Sequence, residues 1–178
     1  MLDKWIKEGD FKVLAEYHGK CLILQTFRNL KTGERKDYSL FYGRNESAMV
    51  LALTRDRQVI LIREFRFGSN RIKIQLPGGN SEKGEDILTT AARELFEETG
   101  WKAGRLIQLS NPLFIDPASS ESVIYPFLAL DCELQNLDQI ENVEIELIPF
   151  SHWLEMIKSG QIDEFYAIAI TYLAESYI

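Results

Sequence analysis

Carboxylates crowd one short stretch of this chain. Glu94, Glu97 and Glu98 stand beside Arg93, with Glu85 upstream and Gly79 and Gly100 on either side. Like charges so close repel one another unless a cation neutralises them, and hard divalent cations take oxygen ligands. A plain solvated helix face would carry glutamate too, because it is a good helix former that mostly sits in water. Placement favours the cation. At about 100° per residue, with Glu94 at zero, Glu98 lies about 40° to one side and Glu97 about 60° to the other, with Arg93 next to Glu97. Leu88, Ala91, Ala92, Leu95 and Thr99 gather on a different face, as a core-facing stripe should. The spacing therefore predicts an amphipathic helix with one apolar and one carboxylate face, closed by Gly100 in a left-handed cap. Glu85 falls on the far side of a continuous helix, so it is expected at the helix entrance, folded back by the preceding loop.

Other elements must hold that helix in place. Residues 11–45 suggest a small antiparallel unit: CLILQTF, a turn at Lys31-Thr32-Gly33, then a strand through YSLFY. A second hairpin is expected from SAMVLAL and QVILIREF around Arg55-Asp56-Arg57. KIQL makes a short strand before Pro77-Gly78-Gly79, and RLIQL, SVIYPFLAL and VEIEL read as later strands. The C-terminal third reads helical, with Ser151 expected to cap one helix and Asp163 to open the next. There is no internal repeat and no low-complexity linker.

Gly79, Glu85, Arg93, Glu94, Leu95, Glu97, Glu98, Gly100 and Trp101 follow the pattern G-x5-E-x7-R-E-U-x-E-E-x-G-U, where U is bulky and apolar. This resembles the Nudix box of the Nudix hydrolases at every defined position, and the likeness extends over residues 46–178. The resemblance implies an α+β fold, with a mixed β-sheet sandwiched between helices and a small N-terminal antiparallel β subdomain over residues 1–45. It implies Mg²⁺, with Mn²⁺ as a substitute. Glu94 and Glu98 would be the principal ligands, helped by the Gly78 carbonyl, with Glu97 sharing or bridging metals and Glu85 in a supporting position. Arg93 would orient the carboxylates, although an Arg93–Glu97 pair also stabilises a helix by itself.

Flanking residues narrow the resemblance toward ADP-ribose and nucleoside diphosphate sugar pyrophosphatases. Arg63-Glu64-Phe65-Arg66 is similar to their R-Q-x-R segment, which makes Arg66, with Arg63, a candidate for contacting the diphosphate; a surface strand with outward charges fits equally. Pro117 stands near the place of a marker proline. The loop from Asp116 to Glu121 resembles the one that supplies a catalytic glutamate, so Glu121 is the candidate general base or third-metal ligand, with Asp116 its rival. Two departures stand out: Gln75 replaces a glutamate common before the box, and the loop from Pro117 to Glu121 is one residue short. Gln75 provides no anion, so contacts to substrate or to a neighbouring arginine are expected to differ.

The implied reaction is hydrolysis of the diphosphate of a nucleoside diphosphate sugar, ADP-ribose foremost, to a nucleoside monophosphate and a sugar phosphate by an activated water. The alternatives are another nucleotide (a dinucleoside polyphosphate or a noncanonical triphosphate) or a nucleotide-sensing domain without turnover. An intact carboxylate set speaks against the sensor. The N-terminal residues resemble the subdomain that such enzymes use to form homodimers and cover the base. Phe27, Arg28, Tyr38, Phe41 and Tyr42 suit stacking there, though aromatics alternating on a strand are more often core or interface.

The composition is compatible with this. The chain has 178 residues, 46% hydrophobic, enough for one substantial core. A net charge of −7 argues against a nucleic-acid polymer as partner, but not against an anionic nucleotide once metals are bound. Cys21 and Cys132 show neither ligand spacing nor a disulfide framework and read as reduced packing residues. His18 and His152 lack motif partners. With no apolar signal core and no run of transmembrane length, a cytoplasmic location without membrane contact is expected.

Overall fold

The computed structural model describes residues 3–17, 20–43, 46–135 and 143–178; His18 lies outside them. The chain divides into two compact units, Met1–Asn45 with Phe114–Val123, and Glu46–Leu113 with Ile124–Ile178.

The first unit holds a three-stranded antiparallel sheet in the order β1 (Trp5–Tyr17), β2 (Lys20–Asn29), β3 (Arg35–Tyr42). β1 adds a strand to the two, CLILQTF and YSLFY, that the sequence pattern names. Its register shifts between Glu8 and Lys12 and again between Val13 and Ala15, so no clean two-residue alternation shows in the sequence. The β2–β3 turn is built by Asn29, whose side-chain oxygen accepts the Lys31 and Thr32 amides at 2.8 and 3.0 Å. Glu8 on β1 accepts from Arg35 at 2.6 Å and Arg28 at 3.0 Å, and these two guanidiniums, Arg35 foremost, hold its carboxyl below the usual range. Arg28 is thus drawn into a strand-to-strand ion pair.

The second unit is built on a nine-stranded mixed sheet. Its strands are β4 (Glu46–Thr54), β5 (Gln58–Arg66), β6 (Arg71–Gln75), β7 (Gly78–Asn80), β8 (Trp101–Lys102), β9 (Arg105–Gln108), β10 (Leu113–Phe114), β11 (Val123–Leu134) and β12 (Glu144–Pro149). The main path runs β10-β11-β4-β5-β12; β6 pairs with β5, β7 with β4, and β8 and β9 with β11. Among the described residues three α-helices complete the unit: α1 (Ile87–Thr99), α2 (Phe150–Lys158) and α3 (Phe165–Ala174).

β4 shows why its sequence is apolar throughout rather than alternating. Met49, Leu51 and Leu53 enter one core cluster with Trp153 of α2 and Ala167 and Ile170 of α3. Ala48, Val50 and Ala52 enter a second cluster with Ala91 and Leu95 of α1. Successive side chains point to opposite faces, and here both faces are covered by helices. On the first face, fully buried Trp153 donates its indole N–H to Thr171 at 2.9 Å, locking α2 to α3.

Two expected helix caps are not formed. α2 begins at Phe150 with Pro149 in the cap position, so Ser151 lies inside the first turn. The Phe150 amide is instead satisfied by the Arg57 carbonyl at 2.9 Å. Glu164, not Asp163, precedes α3, and it makes no side-chain cap bond. The Asp163 carboxylate pairs with Lys73 of β6. Among the described residues no helix is long and apolar enough to cross a membrane.

Candidate active site

Asp86 starts α1 by accepting the Leu88 and Thr89 amides at 3.1 Å each, and Gly100 ends it at φ 74°, donating to the Phe96 carbonyl at 2.7 Å. The helix is rolled differently from the expectation. Thr90, Ala91, Leu95 and Thr99 are buried, but Leu88 is half exposed and Ala92 faces out. On the wheel the buried set spans from about −40° (Thr90) to about 140° (Thr99), which puts Glu98 near its middle. The apolar and carboxylate faces therefore overlap, and Glu94 and Glu98 are turned toward the body of the unit.

They meet β7. This strand pairs antiparallel with β4, Gly78 opposite Met49 and Gly79 opposite Ala48. A side chain at Gly78, where φ is 152°, would run into the Ala48 carbonyl oxygen and Met49. A Cβ on Gly79 would lie 2.6 Å from the Glu94 carboxylate. The two glycines thus let backbone and acid approach, since a side chain at 78 would meet backbone and one at 79 would displace the Glu94 carboxylate. The Gly78 amide donates to Glu98 at 2.7 Å. Burial pushes the Glu98 carboxyl up to about 7; the Gly78 N–H opposes that shift, the Glu94 charge adds to it, and the positive charge of Arg66 also opposes it.

Arg93 organises the other acids with all five of its N–H donors. Nε and Nη2 grip Glu85 at 2.9 and 3.0 Å, Nη1 reaches Glu94 at 2.8 Å and Glu97 at 2.9 Å, and Nη2 also donates to the Asn80 carbonyl at 3.1 Å. Glu85 takes two further bonds, from the Glu82 amide at 3.0 Å and the Thr90 hydroxyl at 2.9 Å. Arg93 foremost, then the Glu82 amide and Thr90, hold its carboxyl down at about 2. The same carboxylates, Glu85 first, raise Arg93 above the usual guanidinium range. Glu97 is the exposed member, with its side chain about half accessible, while Glu94 is mostly covered.

Among the described residues no three acidic, histidine or cysteine side chains form a ready-made cation cage. The helix instead offers Glu94 and Glu98 against Gly78 and Gly79, with Glu97 at the rim. That donor set, all hard oxygen, suits Mg²⁺, which is usually held by a few carboxylates together with waters and substrate phosphates.

Of the two flanking arginines, Arg66 at the end of β5 is close enough to influence Glu98. It pairs with Glu64 at 3.0 Å and donates through Nε to the Gln75 side-chain oxygen. Arg63 is turned to β12, pairing with Glu144 at 3.6 Å and Glu146 at 3.5 Å. Glu121 and Asp116 belong to the other unit. Glu121 accepts from Lys7 at 2.7 Å. Asp116 caps its own turn, accepting from the Ala118 amide at 3.2 Å and from the Ser119 hydroxyl. His152 sits on the surface of α2 beside Glu155 at 3.4 Å.

Three participants escaped the sequence reading. Asn80 and Thr90 occupy undefined positions of the box; Asn80 joins the clamp through its backbone carbonyl, which any residue supplies, and Thr90 through its side-chain hydroxyl. Glu164 is remote in sequence and nothing near it forms a motif, yet it reaches Gln75 at 2.6 Å.

Comparison with known proteins decides the family: the NUDIX domain model matches residues 43–166. This chain belongs to the Nudix hydrolases. An ADP-ribose pyrophosphatase of Bacillus subtilis (strain 168) is 33% identical to this Nudix hydrolase over 129 residues, covering 70% of this chain and 69% of the relative. The methanol dehydrogenase activator of Bacillus methanolicus is 29% identical over 182 residues, covering 97% and 95%. A solved structure described as an ADP compounds hydrolase superposes with a TM-score of 0.84 at 21% identity, over 99% of this chain and 94% of that one, which establishes the Nudix fold. The chain is accordingly a Nudix pyrophosphohydrolase, a family that works with divalent metal ions.

Proposed function

We propose that this Nudix hydrolase cleaves the diphosphate of nucleoside diphosphate sugars, with ADP-ribose the leading substrate and a nucleoside monophosphate and a sugar phosphate as products. The observation that carries the reading is the approach of Glu94 and Glu98 to Gly78–Gly79, with Arg93 gripping the neighbouring acids. The ADP-ribose pyrophosphatase relative supports the choice of substrate.

Bound Mg²⁺, or Mn²⁺ in its place, supplies charge shielding, water activation and stabilisation of the leaving phosphate. Glu94, Glu98 and the Gly78 carbonyl would hold it, with Glu97 sharing from the rim. Arg93 fixes where these carboxylates point. Glu85, saturated by four donors, acts as the clamp on Arg93 rather than as a ligand. Arg66 receives the substrate diphosphate. Arg63, tied to β12, supports the strand that carries Arg66. Glu121 is the loop acid proposed as general base, and Glu121→Gln should lower kcat about 10²–10⁴-fold. An unchanged kcat removes it from that role.

In the N-terminal unit, Phe27, Tyr38, Phe41 and Tyr42 line a cavity of about 350 Å³ together with Trp5 and Lys7. Its aromatic walls suit a nucleobase, which favours base covering by this unit; homodimer formation and a cytoplasmic location complete the proposal. A second reading, hydrolysis of a different nucleotide such as a dinucleoside polyphosphate or a noncanonical triphosphate, draws on the same carboxylate set, whose metal chemistry serves any phosphoanhydride. A panel of nucleoside diphosphate sugars, dinucleoside polyphosphates and triphosphates, assayed with Mg²⁺ for release of phosphatase-sensitive phosphate, separates the two. Turnover confined to triphosphates or dinucleoside polyphosphates would overturn the first. Ligand-induced thermal stabilisation without any product would mark a sensor.

A further inference from the structure

We propose that Glu164, at the head of α3, forms with Gln75 and Tyr166 a relay that positions Arg66 and supplies the negative charge that glutamine at 75 lacks. The proposal rests on the reading of Arg66 as the diphosphate contact. Gln75 is buried, 2% exposed, and its carboxamide is fully used. Its oxygen accepts from Arg66 Nε, and its nitrogen donates to Glu164 at 2.6 Å and to the Tyr166 hydroxyl at 2.7 Å. Tyr166 in turn donates to the second oxygen of Glu164. The guanidinium is held from the other side by Glu64 on Nη1. Among the described residues Nη2 has no acceptor, which leaves that edge of Arg66 for an anionic ligand.

The chemistry explains why glutamine stands at 75. A glutamate there would direct an ionised oxygen at the Glu164 carboxylate across the 2.6 Å now bridged by an amide N–H. Two like charges would then meet in a partly buried place, at a cost that neither the tyrosine nor the arginine fully offsets. With an amide between them, Arg66 and Glu164 polarise the same side chain from opposite ends, and hydrogen bonds in such a chain reinforce one another. The neighbouring Lys73–Asp163 pair ties the same stretch of chain to β6, so α3 enters at a fixed height. Gln75 and Glu164 thus work as one unit, and they are interchangeable in charge if exchanged together.

Steady-state kinetics on ADP-ribose with Mg²⁺, alongside thermal melting, test this on Arg66→Ala, Gln75→Glu, Glu164→Gln and the double variant Gln75→Glu/Glu164→Gln. Arg66→Ala should raise KM at least about tenfold. Each relay single should raise KM roughly three- to tenfold with kcat within about twofold, the range expected when one charge-assisted hydrogen bond is disturbed. The exchanged pair should return KM to within about twofold of the parent. If Arg66→Ala raises KM but the double variant is as impaired as the two singles combined, the relay is wrong and the arginine assignment stands. If Arg66→Ala leaves KM unchanged, the diphosphate assignment fails and the relay with it. Should Gln75→Glu not fold, Glu164→Gln and Tyr166→Phe read the same relay. A raised KM with retained kcat supports it, and an unchanged KM overturns it.

Discussion

Position 79 separates the two jobs of the glycines before α1. The atoms nearest a methyl group on Gly79 belong to the Glu94 carboxylate, the far end of a flexible side chain, whereas those nearest one on Gly78 include backbone. Gly79→Ala is therefore expected to keep the parent's melting temperature within a few degrees while weakening Mg²⁺ affinity about ten- to hundredfold, measured by metal titration of activity. Gly78→Ala should instead lower the melting temperature. Equal effects of both substitutions on stability would contradict this division. Cys132 gives a pH-dependent test. Burial pushes its thiol up to about 12 from an ordinary value of 9.0. The unfolded chain gives up that proton above about pH 9 while the folded chain keeps it, so folding loses stability as pH rises from about 9 toward 12 and loses none below. Cys132→Val should therefore narrow any stability deficit to the parent across that window, read from denaturant midpoints. A difference that stays constant with pH would refute the assignment.

At the scale of elements, α2 and α3 cover one face of the sheet through Trp153, whose indole fills the cluster around Leu51 and Ile170 and bonds Thr171. Trp153→Ala should cost about 3–5 kcal/mol in urea unfolding. A loss under about 1 kcal/mol would mean the helices are held by something else. The helices and most strands were legible in the sequence because their apolar patterns are continuous. β1 was not read as a strand, since its two register shifts scramble the alternation. The two caps were misread for a related reason: Ser151 and Asp163 have the right chemistry, but the Arg57 carbonyl and Lys73, distant in sequence, decide where the chain turns. The roll of α1 was hidden likewise. Glycines at 78 and 79 admit Glu94 and Glu98 to the inward side, so Leu88 and Ala92 are displaced outward.

For the whole molecule, the box could be read at once because its defined residue types lie close together in one stretch of chain. The surroundings of Arg66 could not, because Gln75, Glu164 and Tyr166 come from two elements that meet only in the folded chain. The Arg93 clamp is made entirely of protein groups, so the fold should not depend on metal. Chelation is expected to abolish turnover while leaving the circular dichroism spectrum unchanged, and restoring saturating Mg²⁺ should raise the melting temperature through binding linkage. Loss of secondary structure on chelation would show that the clamp does not hold α1 alone. The central claim is that Glu94 and Glu98 carry a divalent ion that drives diphosphate cleavage. It is tested most directly by hydrolysis of ADP-ribose across a Mg²⁺ titration, comparing the parent with Glu98→Gln. The account predicts AMP and ribose phosphate from the parent only with metal, and a fall in kcat beyond about a hundredfold in the variant, as expected when several kcal/mol of metal-borne charge stabilisation are lost. Turnover by Glu98→Gln at the parent's rate and with the parent's Mg²⁺ dependence would contradict it.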